Sequence, residues 1–177
     1  EDALSEIREA ADFCRYYTTC ATKLVSENQI EETAGGIFLC ISPWNFPLAI
    51  FVGQVVAALV SGNVVIAKPA EQTPLIAYKA VELFYKSGVP SSVLNLLLAD
   101  GLTTSKLIDS DLQLGGVAFT GSNSTAYKIQ TSIANRSDRV SLIAETGGQN
   151  CMVVDSSALP EQVVDDVIIS AFSSAEV

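Results

Sequence analysis

Apolar residues along this chain alternate between short continuous runs and longer stretches with a helical period. The first long stretch, from Glu1 to about Asn28, carries an apolar stripe at helical spacing, with Glu, Arg and Lys elsewhere. The stripe consists of Leu4, Ile7, Ala11, Cys14, Tyr17, Ala21 and Leu24. We predict one long amphipathic helix that packs against the body of the protein.

The short apolar runs predict buried strands, because a strand that is covered on both faces needs no polar alternation. They are Ile37–Ile41, Val64–Ala67, Val93–Leu98, Gly116–Phe119, Val140–Glu145 and Cys151–Val154. The stretches between them predict helices that begin at capping residues or proline and end near glycine or polar residues. These are Pro47–Val60, a helix capped by Thr73 and running to Ser87, Gly101–Ile108, Ser122–Ala134 and a last helix that begins at Pro160 and runs to the end of the chain.

Strands that alternate with helices in this way imply parallel pairing with right-handed crossovers. The predicted fold class is therefore α/β, a Rossmann-like doubly wound parallel sheet preceded by the amphipathic helix. We assign the helix and a polar linker to residues 1–34 and the sheet domain to residues 35–177. Ligands of such sheets bind at the carboxyl ends of the strands, so the loops after Ile41, Ala67, Ala99 and Phe119 are expected to share one edge.

The composition indicates a globular chain with an unusually large apolar share. Of its 177 residues, 49% are hydrophobic and 17% are charged, which excludes a disordered chain and fits a single domain. The apolar share exceeds what a small self-contained domain needs. We therefore expect self-association, or association with another chain, to cover part of the surface.

The charge excludes two classes of partner. Ten Lys and Arg against twenty Asp and Glu give a net charge of −10, which repels nucleic acid and anionic membranes. The most apolar stretch, Pro47 to Ser61, is too short for a membrane span and contains Gly53 and Gln54. No signal-peptide pattern opens the chain. We expect a cytoplasmic protein that binds neither nucleic acid nor membrane.

The residues available for catalysis are limited. The chain has no histidine, so a Ser-His-Asp triad, a Cys-His pair and a histidine-ligated metal site are excluded, and we expect no metal. Its four cysteines, Cys14, Cys20, Cys40 and Cys151, form no CxxC pair, and we expect them to be reduced and mostly structural. Any catalytic base must be a carboxylate or a lysine.

The loop after the first strand contains two prolines, Pro43 and Pro47. Each proline fixes its own φ and restricts the residue before it, so the loop can adopt few shapes. Such a loop can aim a side chain, and Asn45, whose amide offers two donors and an acceptor, is the candidate. The alternative is a plain helix entry with Pro47 in the first turn and Trp44 packed in the core.

Lys68 and Glu71 follow the second strand directly. A carboxylate at this place can accept both hydroxyls of an adenosine ribose and would repel a 2′-phosphate, which favours NAD over NADP. The alternative is a solvated pair of charges that flanks a helix start.

Phe119, Thr120, Gly121 and Ser122 end the fourth strand and open a helix, whose N-terminal amides suit a pyrophosphate. The full GxGxxG pattern is absent, and an ordinary turn capped by Ser122 is the alternative.

Glu145 stands at a strand end before Thr146, Gly147 and Gly148. A carboxylate there can act as a general base, and the two glycines let backbone approach closely. The alternative is an exposed strand-end residue before a glycine turn.

Taken together and in this order, SPWNFP, KPAEQTP, FTGS and ETGGQN resemble the NAD(P)-dependent aldehyde dehydrogenase superfamily. The resemblance runs from about Gly35 to the end of the chain. The segments AADFCRYY, AETGGQN and DSSALPEQVV narrow it to the Δ1-pyrroline-5-carboxylate (L-glutamate γ-semialdehyde) dehydrogenase modules of bacterial bifunctional proline-utilization proteins, in which the N-terminal helix also has a counterpart. It implies that residues 35–177 form an NAD-binding domain.

The resemblance implies a mechanism in which a cysteine thiolate attacks an aldehyde, the resulting thiohemiacetal gives its hydride to NAD, and water cleaves the thioester. Asn45 would donate to the developing oxyanion and Glu145 would activate the water. Lys68 and Glu71 would hold the adenosine ribose, Gly121 and Ser122 the pyrophosphate. The remaining cofactor-binding residues implied are Ile41, Ser42, Pro43, Trp44, Gly101, beside the adenine, and Phe119.

Two positions depart from the family pattern. Ala126 stands where many relatives carry glycine, which affects the placement of the pyrophosphate. The nucleophile of the family follows in a Ser-Ala-Gly-Gln-Arg-Cys type of sequence, whereas this chain reads Ser174-Ala175-Glu176-Val177. We expect the nucleophile to be missing, since Cys40 and Cys151 lie in apolar strand-like runs where a thiol is inert. A small aldehyde is therefore expected as a partner only if a missing domain completes the site.

Two functions therefore follow as expectations. The first is the NAD-binding portion of an aldehyde dehydrogenase that is inactive alone. The second is a noncatalytic nucleotide-binding or self-assembling module.

Overall fold

The computed structural model describes residues 2–27, 36–110, 112–148 and 151–172. In chain order its strands are β1 (Ile37–Ile41), β2 (Val64–Lys68), β3 (Leu94–Leu96), β4 (Leu114–Gly121) and β5 (Ser141–Thr146). Its helices are α1 (Asp2–Ser26), α2 (Ala49–Val60), α3 (Pro74–Lys86), α4 (Gly101–Ile108), α5 (Asn123–Ala134) and α6 (Pro160–Phe172).

The five strands form one parallel sheet in the order β3-β2-β1-β4-β5. The chain therefore begins in the middle of the sheet and extends it first to one side and then to the other. This order confirms the predicted doubly wound topology. It also puts the carboxyl ends of β1 and β4 side by side, with Ile41 paired to Phe119 and to Lys68 of β2.

Two apolar cores cover the two faces of the sheet. Alternate strand residues such as Cys40 and Val65 face the core shared with α1, α2 and α3. Their neighbours, such as Leu39 and Val117, face the core shared with α4 and α5. Because every second residue of a strand points to the same face, one apolar run supplies both cores.

The N-terminal helix is confirmed, but part of the predicted stripe lies on its exposed side. Leu4 is 62% exposed and Ile7 is also exposed, whereas Ala10 is buried, and Cys14 and Tyr17 pack against the core. The helix contacts the rest of the chain mainly through α2. The side of α1 that faces α2 is the buried one. The spacing of apolar residues alone does not identify which side this is.

The predicted strand Cys151–Val154 is wrong. These residues belong to no strand, and all of them are exposed, Val153 at 88%. Within the described residues, no neighbouring strand offers the segment a ladder of hydrogen bonds. An extended apolar segment without such a partner leaves its backbone groups to water.

Thr73 occupies the predicted cap position before α3, but within the described residues its side chain makes no cap hydrogen bond. Its ψ of 44° differs from the extended backbone of the two caps that do form, Asp100 at 172° and Ser122 at 147°. In the part of the chain that the structure describes, the Thr73 hydroxyl is buried without a hydrogen-bond partner. The extended backbone is what directs a cap oxygen at the first-turn amides.

Other predicted boundaries shift by a few residues. Helix α2 begins two residues after Pro47, and β3 is shorter than the predicted Val93–Leu98. The linker residues 28–35 and the chain end at 173–177 lie outside the described residues, so the domain division at residue 35 stays a prediction. No helix in the described ranges is long and apolar enough to cross a membrane.

Gly116 is a position where the sheet requires glycine. A Cβ atom built there would lie 2.4 Å from Cζ of Phe38, the residue paired with it across the β1–β4 ladder. We expect Gly116→Ala to lower the free energy of unfolding by about 2 kcal/mol in urea titrations, because the ring has to leave its place. Gly101→Ala is the control, since no atom lies within 4 Å of its Cβ position. Equal urea midpoints for both variants would contradict the prediction.

Candidate functional site

A cavity of about 510 Å³ opens at the carboxyl ends of the strands, on the side of α4 and α5. Its volume falls in the range of small-molecule sites. The structure brings all ten predicted cofactor-binding residues together in its wall, namely Ile41, Ser42, Pro43, Trp44, Lys68, Glu71, Gly101, Phe119, Gly121 and Ser122. The sheet topology unites them, because they come from four separate segments of the chain.

Lys68, Glu71 and Gly101 form one connected group at this cavity. Lys68 is the last residue of β2 and is only 7% exposed. Its Nζ lies 4.0 Å from Oε1 of Glu71, and the same oxygen accepts a hydrogen bond of 3.1 Å from the backbone N–H of Gly101. The Glu71 carboxylate is therefore oriented by its neighbours, and its other oxygen, Oε2, is left for further donors.

Helix α5 begins at the cavity. Ser122 caps it, because its Oγ accepts a hydrogen bond of 3.3 Å from the N–H of Thr125. A Cβ atom at Gly121 would lie 2.7 Å from the ring of Phe119. The ring therefore leaves no room for a side chain at this position, and only backbone is present where the helix begins. The cap alternative for Ser122 is thus observed, and it leaves the positive end of the helix dipole at the cavity.

The loop of residues 42–47 borders the cavity on the β1 side. The N–H of Ser42 donates to the carbonyl of Lys68 at 3.2 Å. Among the described residues, neither Oγ of Ser42 nor Oδ1 of Asn45 has a hydrogen-bond partner, although both atoms are buried. Trp44 is 42% exposed, which contradicts the alternative of core packing. Asn45 itself does not line the cavity.

Glu145 lies on the other face of the sheet. It lines a second cavity of about 520 Å³ with Gln54, Thr120 and aromatic residues of α1. The side chain is exposed at the carboxyl end of β5. Phe119 lines both cavities, and the other nine residues of the first cavity do not line the second, so the ends of β1 and β4 lie between those nine residues and Glu145.

Gln54 is a site residue that sequence reasoning missed. Its Nε2 donates to Oγ1 of Thr120 at 3.0 Å and to the carbonyl of Ile41 at 3.3 Å, and thereby ties α2 to both central strands. Its Oε1 is buried and has no partner in the described part of the chain. The available signal in the sequence is that Gln54 is the one polar side chain in the otherwise apolar α2.

The four thiols do not meet at either cavity. Burial raises the pKa of the Cys40 thiol to about 12, and burial is also the main cause that raises the pKa of Cys14. Cys151 is exposed, and within the described ranges none of the four cysteines lines the two cavities. A thiol such as Cys40 is almost entirely protonated at neutral pH and is a poor nucleophile.

Comparisons with known proteins agree with this geometry. The family model described as "Aldehyde dehydrogenase family" matches residues 1–176. Bifunctional protein PutA of Klebsiella aerogenes is 51% identical over 98% of this chain, and the match covers 13% of that protein. The 1-pyrroline-5-carboxylate dehydrogenase of Anoxybacillus flavithermus is 36% identical over 97% of this chain and 36% of its own length.

Solved structures agree as well. A mutant of Bradyrhizobium japonicum proline utilization A superposes with a TM-score of 0.88 and 49% identity, over 97% of this chain and 19% of that one. A 1-pyrroline-5-carboxylate dehydrogenase from Thermus with bound NAD gives a TM-score of 0.84 and 29% identity, over 94% and 35%. The chain thus spans about an eighth to a third of the length of the proteins it matches. On the family match over nearly its whole length, the chain belongs to the aldehyde dehydrogenase family.

Proposed function

We propose that this chain is the NAD-binding portion of a dehydrogenase of the 1-pyrroline-5-carboxylate type, which oxidises glutamate semialdehyde to glutamate. The observation that carries the proposal is the single cavity that unites Lys68, Glu71, Gly101 and the start of α5. Support also comes from the Thermus relative, whose structure holds NAD. The buried Oγ of Ser42, without a partner in the described residues, fits a cavity that receives a polar ligand.

Each part of NAD has a chemically matching group in the cavity wall. Lys68 and the oriented carboxylate of Glu71 would hold the adenosine ribose, with Gly101 beside the adenine. The amides at Gly121 and Ser122, at the positive end of α5, would hold the pyrophosphate. Ile41, Pro43, Trp44 and Phe119 add apolar wall. NAD supplies a hydride acceptor.

Two residues of this chain would act on the reacting aldehyde, Asn45 from the 42–47 loop and Glu145 from β5. Asn45 would donate to the oxyanion that forms when a thiolate attacks the aldehyde, a contact whose loss costs about 3 kcal/mol of barrier. Glu145 would take a proton from the water that cleaves the thioester. In this proposal the 177 residues alone do not catalyse aldehyde oxidation. The position of the four thiols, none of which lines either cavity in the described ranges, supports the proposed inactivity.

Calorimetric titration of the full chain with NAD and NADP tests the cofactor assignment. We expect saturable binding of NAD, with NADP weaker by at least about tenfold because a 2′-phosphate would meet the Glu71 carboxylate. Absence of heat at millimolar NAD would overturn the proposal. An assay of NADH formation with glutamate semialdehyde tests the second part, and robust turnover would contradict the proposed inactivity.

A second candidate function is self-assembly. Helix α6 buries none of its described side chains, and apolar residues such as Val164 and Phe172 are exposed on it. Light scattering, which measures the oligomeric state, tests this candidate together with a separate assay of a dye that binds exposed apolar surface. A monodisperse monomer with little bound dye would contradict it.

A further inference from the structure

Helix α2 begins without a cap of its own. The residue at its cap position is Leu48, which has no side-chain oxygen, and its first turn contains no acidic residue. The first amides of a helix have no partner inside the helix and must be satisfied from elsewhere. In a helix as apolar and buried as α2, water is a poor source of such partners.

Glu6 of α1 supplies the missing acceptor. Its Oε2 accepts hydrogen bonds from the backbone N–H groups of Leu48 and Ala49, both at 3.0 Å and from more than forty residues away in the chain. The carboxylate also lies at the positive end of the α2 dipole, where a negative charge is stabilised. Its second oxygen, Oε1, is buried and has no hydrogen-bond partner within the described residues.

This contact lies directly at the end of the 42–47 loop. At the other end of the loop, the N–H of Ser42 is bonded to the carbonyl of Lys68. Glu6 therefore fixes the end that leads into α2, and β2 fixes the end that leaves β1. Between the two lie Trp44, in the cavity wall, and Asn45.

We infer that Glu6 is a positioning residue for the cofactor cavity. It holds the 42–47 loop in the shape that keeps Ser42 and Trp44 in the cavity wall. The inference rests on the proposed function for the identity of the ligand. It gives the N-terminal helix a role in the site as well as in packing.

Trp44 makes the inference measurable, because it is the single tryptophan of the chain and lies in the loop concerned. We expect Glu6→Ala to shift the Trp44 emission maximum of the unliganded full chain to longer wavelength, as the loop opens to water. We expect the Kd for NAD to rise about fivefold, the ratio that matches the loss of a helix cap. Glu6→Gln keeps an amide oxygen as acceptor and is expected to retain wild-type emission and a Kd within about twofold.

Two controls separate positioning from stability. Glu9→Ala removes an exposed glutamate of the same helix, and Val81→Ala loosens the core in α3 away from the loop. Neither is expected to move the emission or the Kd. If Glu6→Ala lowers only the melting temperature, as Val81→Ala does, the inference is overturned. If Glu6→Ala does not fold, Glu6→Asp, which withdraws the carboxylate by one methylene, carries the same expectation.

The two proposals fail in different ways. If the wild-type chain binds no NAD, the proposed function fails, and the emission of unliganded Glu6→Ala still decides whether Glu6 holds the loop. If the wild-type chain binds NAD and the emission and Kd of Glu6→Ala equal those of the wild type, the inference alone fails.

Discussion

Arg136→Ala is expected to lower the free energy of unfolding by about 3 kcal/mol, the largest stability effect we predict. The Arg136 side chain is only 7% exposed. Its guanidinium donates to the carbonyl oxygens of Ile108, Ser110 and Leu112, the last two at 2.7 Å, and to both carboxylate oxygens of Asp138. Its removal leaves three carbonyls without their charged donor at the place where α4 ends and β4 begins.

Urea titrations of Arg136→Ala, Arg136→Lys and Arg139→Ala test this expectation. The lysine variant keeps the charge but lacks the planar fork, so we expect it to recover less than half of the loss. Arg139 is exposed and is the neutral control. A urea midpoint for Arg136→Ala equal to that of Arg139→Ala would contradict the predicted role.

The Asp138 contact also has a pH dependence. The hydrogen bond from Arg136 holds the pKa of the Asp138 carboxyl below its ordinary value of 3.8. A lowered pKa in the folded state means that the contact stabilises the chain above the ordinary value and is lost as the pH falls through the lowered one. The stability difference between wild type and Arg136→Ala should therefore narrow in acid.

Lys68→Met is expected to weaken NAD binding about thirtyfold, a loss of about 2 kcal/mol for a charged donor to the ribose. Methionine has similar length and no charge, so the cavity wall keeps its volume. The free energy of unfolding should stay the same or rise, because a buried ammonium whose partner carboxylate lies 4.0 Å away recovers little of its desolvation cost. NAD binding is thus expected to weaken without a loss of stability.

Calorimetry with NAD and urea titration of the same samples measure the two effects. Lys79→Met is the matched control, because Lys79 pairs with Glu82 on α3, is exposed, and does not line the cavity. We expect its Kd for NAD to equal that of the wild type. If Lys68→Met also retains the wild-type Kd, Lys68 does not touch the cofactor.

Much of the fold could be predicted from the sequence because it depends on local composition. The run Ile37–Ile41 was predicted with its observed limits, since glycines precede it and a proline soon follows. The positions of Lys68 and Gly121 at the carboxyl ends of strands followed from the alternation of strands and helices alone. Parallel strands joined by helices can place those ends at only one edge.

Other features depend on residues that are far apart in the chain and have no local signature. The cap from Glu6 to Leu48, the bonds from Arg136 to Ile108 and the link from Gln54 to Thr120 each join separate elements. By their type alone, Glu6 and Gln54 in helices and Arg136 just after α5 would be expected to face solvent. Tertiary packing decides whether they meet an unpaired backbone group.

The sequence by itself determined the α/β class, because burial periodicity is a local property of the chain. Its motifs carried the family resemblance, which implied the ten residues that the structure brings together in the first cavity. Only the tertiary structure decided which side of α1 is buried, that Cys151–Val154 is not a strand, and that Asn45 and Glu145 do not line the first cavity. These depend on what each segment packs against. The hydrophobic effect is non-directional, so an apolar pattern predicts that a residue is buried but does not identify the residues it packs against.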